Sequence, residues 1–165
     1  MSSLLDGIVA RLVPPFTLAK LEGDAIFAYA TDSRVVPWGD DLFECLDACY
    51  AEFRRRVADA RDLTTCSCNV CSRIGVLDLK FVLQAGPFVV HEIAGRLELV
   101  GPEVVMAHRL LKTGAAELVG HGAYALVTAA AAAEFRIPTT DSIPIVETYE
   151  HYAPISGHVF PLREA

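Results

Sequence analysis

The sequence predicts an α+β domain built around a mostly antiparallel sheet. Two kinds of pattern lead to this prediction: amphipathic helical segments, and short strand segments that pair around single glycines. The two kinds mix along the chain without the strict βαβ alternation of a parallel sheet. A length of 165 residues fits one domain over residues 1–165, large enough to bury a core.

The first half of the chain predicts two helices on either side of a hairpin. A helix over residues 3–13 ends at the paired prolines Pro14 and Pro15, which cannot continue it. Strands over residues 16–21 and 25–31 flank the acid–glycine–acid triplet Glu22-Gly23-Asp24, which suits a tight turn. A long helix over residues 40–60 carries large apolar residues at three- and four-residue steps. These are Phe43, Leu46, Tyr50, Phe53 and Val57.

The second half predicts most of the strands. Residues 76–85 alternate cleanly between apolar and polar side chains, which is typical of a half-buried strand. A helix over residues 102–112 begins with Pro102 and is followed by Gly114, a common arrangement at helix ends. The alanine-rich run 129–135 predicts another helix. The remaining predicted strands are 88–93, 96–100, 124–128, 145–149 and 158–162.

Charge and hydropathy limit the classes of partner. A net charge of −7 and an isoelectric point near 5.1 argue against nucleic acid or an anionic membrane as partners. The most apolar stretch is shorter than the roughly 20 residues that a membrane-spanning helix needs, and the N-terminus has no signal-peptide pattern. Five cysteines, three of them within six residues, suit a reducing compartment. We therefore expect a cytoplasmic protein.

The cysteine loop predicts a zinc site. Cys66, Cys68 and Cys71 are close enough in sequence to bind one ion as thiolates, and a structural zinc ion takes four ligands. The alternative is a tight turn with buried thiols, since free cysteine is among the most buried residue types. The fourth ligand stays open between a partner chain and three residues of this chain, Cys45, Cys49 and His91. Cys45 and Cys49 lie one helical turn apart on an apolar face, which favours a core position.

Four segments, in order, carry a resemblance to a known family. They are KLEGDAIFAY, CSCNVC, LDLKFVLQAG and GPEVVMAHRLLK. Together they resemble the class III adenylate/guanylate cyclase catalytic domain, and within that group the cyclase-related bacterial family DUF2652. The resemblance extends from about Leu18 to Thr128. It implies a ferredoxin-like, nucleotide-cyclase-type fold with a mostly antiparallel sheet and helices packed on one face.

The resemblance also implies roles for four residues. Asp24 matches the second metal-binding aspartate, which implies Mg²⁺ or Mn²⁺ together with a nucleotide. Lys20 matches the adenine-contacting lysine, Glu98 occupies the base-reading position, and Arg109 matches the arginine that orients the triphosphate. The alternative is structural: a turn residue at Asp24, a charge flanking a strand at Lys20, and an ion pair of Arg109 with Glu98 or Asp24.

Two departures from the cyclase pattern bear on activity. The first metal aspartate has no match, because the nearest candidate, Asp6, has the wrong spacing and lies on a predicted helix. Val105 stands where the family has an asparagine, so a hydrogen-bonding side chain is replaced by a hydrocarbon. One carboxylate makes a weak magnesium site, because this ion sheds its waters reluctantly. The chain also looks shortened at its N-terminus relative to the family.

The expected function is therefore that of a catalytically degenerate cyclase-like domain, which binds a nucleotide or another ligand or regulates a partner. Two alternatives stay open: an active cyclase completed by a partner chain, and a zinc-stabilised interaction module. We also expect a homodimer, because class III cyclases pair head to tail and a domain without the first strand exposes a sheet edge.

Overall fold

The computed structural model describes residues 2–31, 39–63, 66, 68 and 71–162, apart from the side chains of residues 2, 3, 71 and 72. Five α-helices and eight β-strands follow one another in this part of the chain. The helices are α1 (Ser2–Leu12), α2 (Asp40–Leu63), α3 (Pro102–Leu110), α4 (Ala115–Leu118) and α5 (Ala129–Glu134). The strands are β1 (Thr17–Glu22), β2 (Ala25–Tyr29), β3 (Lys80–Leu83), β4 (Val89–Ile93), β5 (Arg96–Val100), β6 (Tyr124–Thr128), β7 (Ile143–Glu147) and β8 (Ile155–Pro161).

The strands form three separate ladders. The main sheet has the order β3-β6-β8-β7, and only its β3–β6 pair is parallel. Two antiparallel hairpins, β1–β2 and β4–β5, pair only within themselves. The expected α+β class with mostly antiparallel pairing is thus confirmed. None of the described helices has the length and hydropathy that spanning a bilayer requires.

Helices cover both faces of the main sheet, so the expectation of helices on one face was wrong. On one face, Val82 and Leu126 pack in a cluster that includes Met106 of α3. Their neighbours Leu83 and Val127 pack on the opposite face in a cluster with residues of α2 and α5. The physical reason is that β3 and β6 carry apolar residues at successive positions, and strands of this kind bury both of their faces.

The start of β3 also differs from the prediction. The alternating segment 76–85 forms a strand only over Lys80–Leu83, and a short 3₁₀ helix occupies Cys71–Val76 before it. The side chain of Val76 is 78% exposed. The Asp78 carboxylate accepts a hydrogen bond from the Leu79 backbone N–H at 2.9 Å. Such local bonds compete with strand ladders, which explains the later start of β3.

Helices α1 and α2 are joined by an apolar cluster and by one charged network. The cluster contains Leu4, Ile8, Cys49, Tyr50, Phe53 and Val57. Beside it, the mostly buried carboxylate of Glu52 accepts hydrogen bonds from Arg11 of α1 and from Arg55 and Arg56 of α2. The side-chain hydrogen bonds from Arg55, Arg56 and Arg11, in that order, hold the pKa of Glu52 well below its usual range. Cys49 is fully buried in this cluster, as expected for a core thiol, whereas Cys45 is only partly buried and lies outside the core.

Candidate functional site

The β1–β2 hairpin presents Lys20 and Glu22 on one face because they are two residues apart in a strand, and a bulge before Lys20 sets its partner across the ladder. Leu18 lies opposite Ala28 and Lys20 lies opposite Phe27, so β1 has one extra residue between the two pairs. Residues that lie opposite each other in a ladder share a face of the hairpin. The extra residue therefore separates Leu18 from Lys20 and places Lys20 beside the Phe27 ring.

Four side chains form a polar and aromatic cluster on this face, which we call the hairpin cluster: Lys20, Glu22, Phe27 and His108. The Lys20 Nζ atom lies 2.7 Å from Glu22 Oε1 and 5.9 Å from the centre of the Phe27 ring. The imidazole of His108, from α3, stacks on Phe27 with ring centres 4.8 Å apart. Its Nδ1 atom lies 3.5 Å from Glu22 Oε2. The cluster thus links the hairpin to α3.

The hairpin cluster is charged and open to solvent. The hydrogen bond from Lys20, aided by the charges of Lys20 and His108, lowers the pKa of the Glu22 carboxyl. The side chains of Lys20, Glu22 and His108 keep 36%, 46% and 32% of their surface exposed. The cluster therefore offers a hydrogen-bond donor, an acceptor and an aromatic surface to a ligand from solution.

Asp24 lies in the exposed turn next to the cluster. Gly23 precedes it with φ at +62°, a conformation that glycine adopts without a steric penalty. Among the described residues, no group of three or more His, Cys, Asp or Glu side chains is arranged to hold a metal ion. Binding of Mg²⁺ or Mn²⁺ at Asp24 therefore stays a prediction.

Arg109 and Glu98 lie in different surroundings. The Arg109 guanidinium carbon lies 4.9 Å from the centre of the Tyr152 ring and 5.7 Å from that of Tyr149. Glu98 lies opposite His91 in the β4–β5 ladder. Within the described part of the chain, Arg109 forms no ion pair with Glu98 or Asp24. The structure therefore brings Lys20 together with Glu22 and His108, whereas Arg109 packs against two tyrosines.

Other predicted site positions are also apart from the hairpin cluster. Val105 on α3, which the resemblance aligns with an asparagine, is 45% exposed, so its isopropyl group meets solvent. Two surface pockets, of about 470 and 260 Å³, are lined by other residues. The larger lies between Thr31, two residues after β2, and residues 86–90, which lead from β3 into the start of β4.

The cysteine loop lies mostly outside the described residues. Cys66 and Cys68 are exposed, which does not fit the alternative of a tight turn with buried thiols, while the side chain of Cys71 is outside the described part. Zinc binding by these three thiols therefore stays a prediction. In α2, the Cys45 thiol lies 3.8 Å from the Arg11 carbonyl oxygen. A hydrogen bond from the Cys49 thiol lowers the pKa of Cys45 to about 7. The same hydrogen bond, together with burial, raises the pKa of Cys49.

Comparison with known proteins identifies the family. The model of the family described as protein of unknown function DUF2652 matches residues 1–117. The chain belongs to the DUF2652 family. This DUF2652 chain is also 30% identical over 115 residues to the uncharacterized protein Rv2561/Rv2562 of Mycobacterium tuberculosis. The match covers 68% of the chain and 51% of that relative, so the chain spans about half of the relative's length.

Sequence reasoning missed part of the hairpin cluster. The sequence pattern places Glu22 in a tight turn and indicates no role for Phe27 or His108. The acid–glycine–acid triplet was a signal for Glu22, because it placed a carboxylate two residues after Lys20. No local signal indicates the stacking of Phe27 on His108, because the two residues are far apart in sequence.

Proposed function

We propose that this DUF2652 chain is a cyclase-like domain without cyclase activity that binds a nucleotide or a related ligand and regulates a partner. The hairpin cluster is the observation that carries the proposal. A purine offers a π face and both donors and acceptors at its edge, and aromatic stacking next to a charged pair suits such a ligand. Lys20, Glu22 and the stacked Phe27–His108 pair provide these features in an exposed position.

Three observations favour binding without turnover. Cyclisation of a nucleoside triphosphate needs metal ions at the attacking oxygen and across the phosphates. Asp24 has no described group of metal-binding side chains around it. The Arg109 guanidinium lies against Tyr149 and Tyr152, and Val105 offers no hydrogen bond where the cyclase pattern has an asparagine.

The test combines turnover and binding. The purified chain, incubated with ATP or GTP and Mg²⁺ or Mn²⁺, is expected to form no cyclic nucleotide above a buffer control. Calorimetric titration with the same nucleotides should show binding that Lys20→Ala weakens by about tenfold, which corresponds to about 1.4 kcal/mol. Lys80→Ala is the matched control, because the Lys80 ammonium lies over the Tyr124 ring, outside the hairpin cluster.

Each other outcome points to an alternative. Product formation that Asp24→Ala abolishes would mean an active cyclase, with the missing ligands supplied by a partner chain. Absence of nucleotide binding, combined with bound zinc, would favour a metal-stabilised interaction module. Equal effects of Lys20→Ala and Lys80→Ala would refute recognition by the hairpin cluster.

The β4–β5 hairpin favours assembly into a homodimer. Among the described residues it pairs only with itself, and it exposes three large apolar side chains on one face: Val89, Ile93 and Val100. Apolar groups grouped in this way mark interaction surfaces. Light scattering at tens of micromolar is expected to give a dimer mass, and Val89→Lys, on the apolar face of the hairpin, should give a monomer. Val76→Lys, at another exposed apolar position, should leave the mass unchanged, and a monomeric wild-type protein would contradict the proposal.

A further inference from the structure

The β1–β2 hairpin and the main sheet lie over the same helices without joining. Ile26 of β2 and Phe81 of β3 both pack against the apolar cluster between α1 and α2. Farther along, Ala30 after β2 and Leu83 of β3 pack against a second cluster, which contains Leu42 near the start of α2. Both strands therefore run in the same direction along α2. They share no ladder, and each has a hydrogen-bonded partner on one side, β1 for β2 and β6 for β3.

Helix α3 lies over both strands from the opposite face. Phe27 of β2 stacks on His108 of α3. Val82 of β3 belongs to the cluster that includes Met106 and Leu110 of α3. The gap between β2 and β3 thus has α1 and α2 on one face, α3 on the other, and a strand edge at each side. We call this gap the strand slot.

Burial distinguishes the slot strands from a strand with two neighbours. All five residues of β6, which lies between β3 and β8, are buried. All five residues of β2 and three of the four in β3 are only half-buried, although both strands have helices on both faces. A pocket is lined by Thr31, two residues after β2, and by residues 86–90, which connect β3 to the first residues of β4.

We propose that the strand slot accepts one extended apolar segment from polypeptide outside this chain, lying between β2 and β3 and antiparallel to both. Neighbouring strands lie about 4.8 Å apart, so an inserted strand can bond to both edges when these are about 10 Å apart. Antiparallel pairing predominates in this protein and in proteins generally. Such insertion is a recognised mode of peptide binding, in which backbone hydrogen bonds give affinity.

The slot and the family comparison define the chemistry of the segment. Because helices cover both faces, the segment needs apolar residues at successive positions, as buried central strands do. Every strand of the described residues already has a ladder partner, so moving one of them into the slot would break an existing ladder. About half of the mycobacterial relative lies outside the match, so a protein similar to this chain carries additional polypeptide, which we take as the source of the segment.

Hydrogen exchange of the full chain tests the slot first. In the free protein, the backbone N–H groups of β2 and β3 that face the slot are expected to exchange rapidly, while those of β6 stay protected. Full protection of every amide in β2 and β3 would overturn the proposal, because it would mean that the edges are already paired.

A designed peptide tests the occupant. The probe is the acetylated, amidated peptide KKVIVFVIKK, and its control is KKVPVPVIKK, in which prolines remove ladder donors. At saturation the probe should slow exchange in both β2 and β3 by at least about tenfold and leave the outer strand β7 unchanged. The control peptide should have no effect. Protection of β7, protection of only one slot strand, or no protection at all would each overturn the proposal.

Matched lysine variants then locate the binding surface. Ala28→Lys introduces an ammonium group on β2 and should weaken binding of the probe by about tenfold or more. Val146→Lys introduces the same group on the outer strand β7, where Val146 is 62% exposed, and should leave binding unchanged. If Ala28→Lys does not fold, exchange in the wild-type chain still decides the question. Equal binding by both folded variants would place the peptide elsewhere.

Discussion

Thr128 offers a sharp test of the packing between β6 and α5. Its side chain is 2% exposed, and its Oγ1 accepts a hydrogen bond from the Ala131 N–H at 3.2 Å, which caps the start of α5. Ala131 is fully buried, so water cannot replace this bond. Thr128→Val keeps the volume and removes the acceptor. Thr128→Ser keeps the acceptor and removes a buried methyl group.

The expected losses of stability follow from two separate contributions of Thr128, the capping hydrogen bond and the buried methyl group. Loss of a helix N-cap typically costs about 1 kcal/mol, within a range of roughly 0.5–2, so Thr128→Val should lower the free energy of unfolding by about that amount. Loss of one buried methyl group costs about 0.8 kcal/mol or somewhat more, which is the expected effect of Thr128→Ser. Thr128→Ala loses both and should cost about 2 kcal/mol.

Urea unfolding followed by circular dichroism measures these differences. For a domain of this size, 1 kcal/mol corresponds to roughly 2–4 °C in the melting temperature, which gives an independent check. Thr148→Val, at an exposed position, is the control and should change stability by less than about 0.5 kcal/mol. A Thr128→Val variant as stable as wild type, alongside a destabilised Thr128→Ser variant, would refute the capping role.

The other predictions concern a carboxylate and the thiols. Glu52→Gln should destabilise the fold at pH 7, and the difference in urea midpoint from wild type should shrink below about pH 5. The reason is that hydrogen bonds from Arg55 and the other arginines lower the pKa of Glu52 only in the folded state, so the stability that they contribute is lost as the pH falls. A pH-independent deficit would contradict this reasoning. The rate of Cys45 alkylation by iodoacetamide, followed by mass spectrometry, should rise with pH with a midpoint near pH 7. Cys49→Ala should move this midpoint towards roughly pH 8.5. An unchanged midpoint would rule out the hydrogen bond from Cys49 to Cys45. Protein prepared without chelator should carry about one zinc ion per chain, and Cys68→Ser should remove this ion and lower the melting temperature. Metal-free wild-type protein would refute the zinc site.

Local sequence patterns determined most of the elements. The hairpin around Gly23, the long helix α2, the strand β6 and the helix that begins at Pro102 were all predicted within a few residues of their ends. Glycine turns, helix-ending prolines and apolar periodicity act over a few residues, so they can be recognised without knowledge of the fold. The same holds for Lys20 and Glu22, whose spacing in one strand places both on one face.

The tertiary structure decided which of those elements contact one another. The Phe27–His108 stack, the tyrosines around Arg109 and the helices on both faces of the sheet depend on contacts between distant segments. The separation of β2 from β3 depends on strand pairing, which local residue patterns do not encode. Sequence alone thus determined where strands and helices form, because that choice rests on neighbouring residues. Which edges and side chains meet was decided only by packing, because that choice rests on the whole chain.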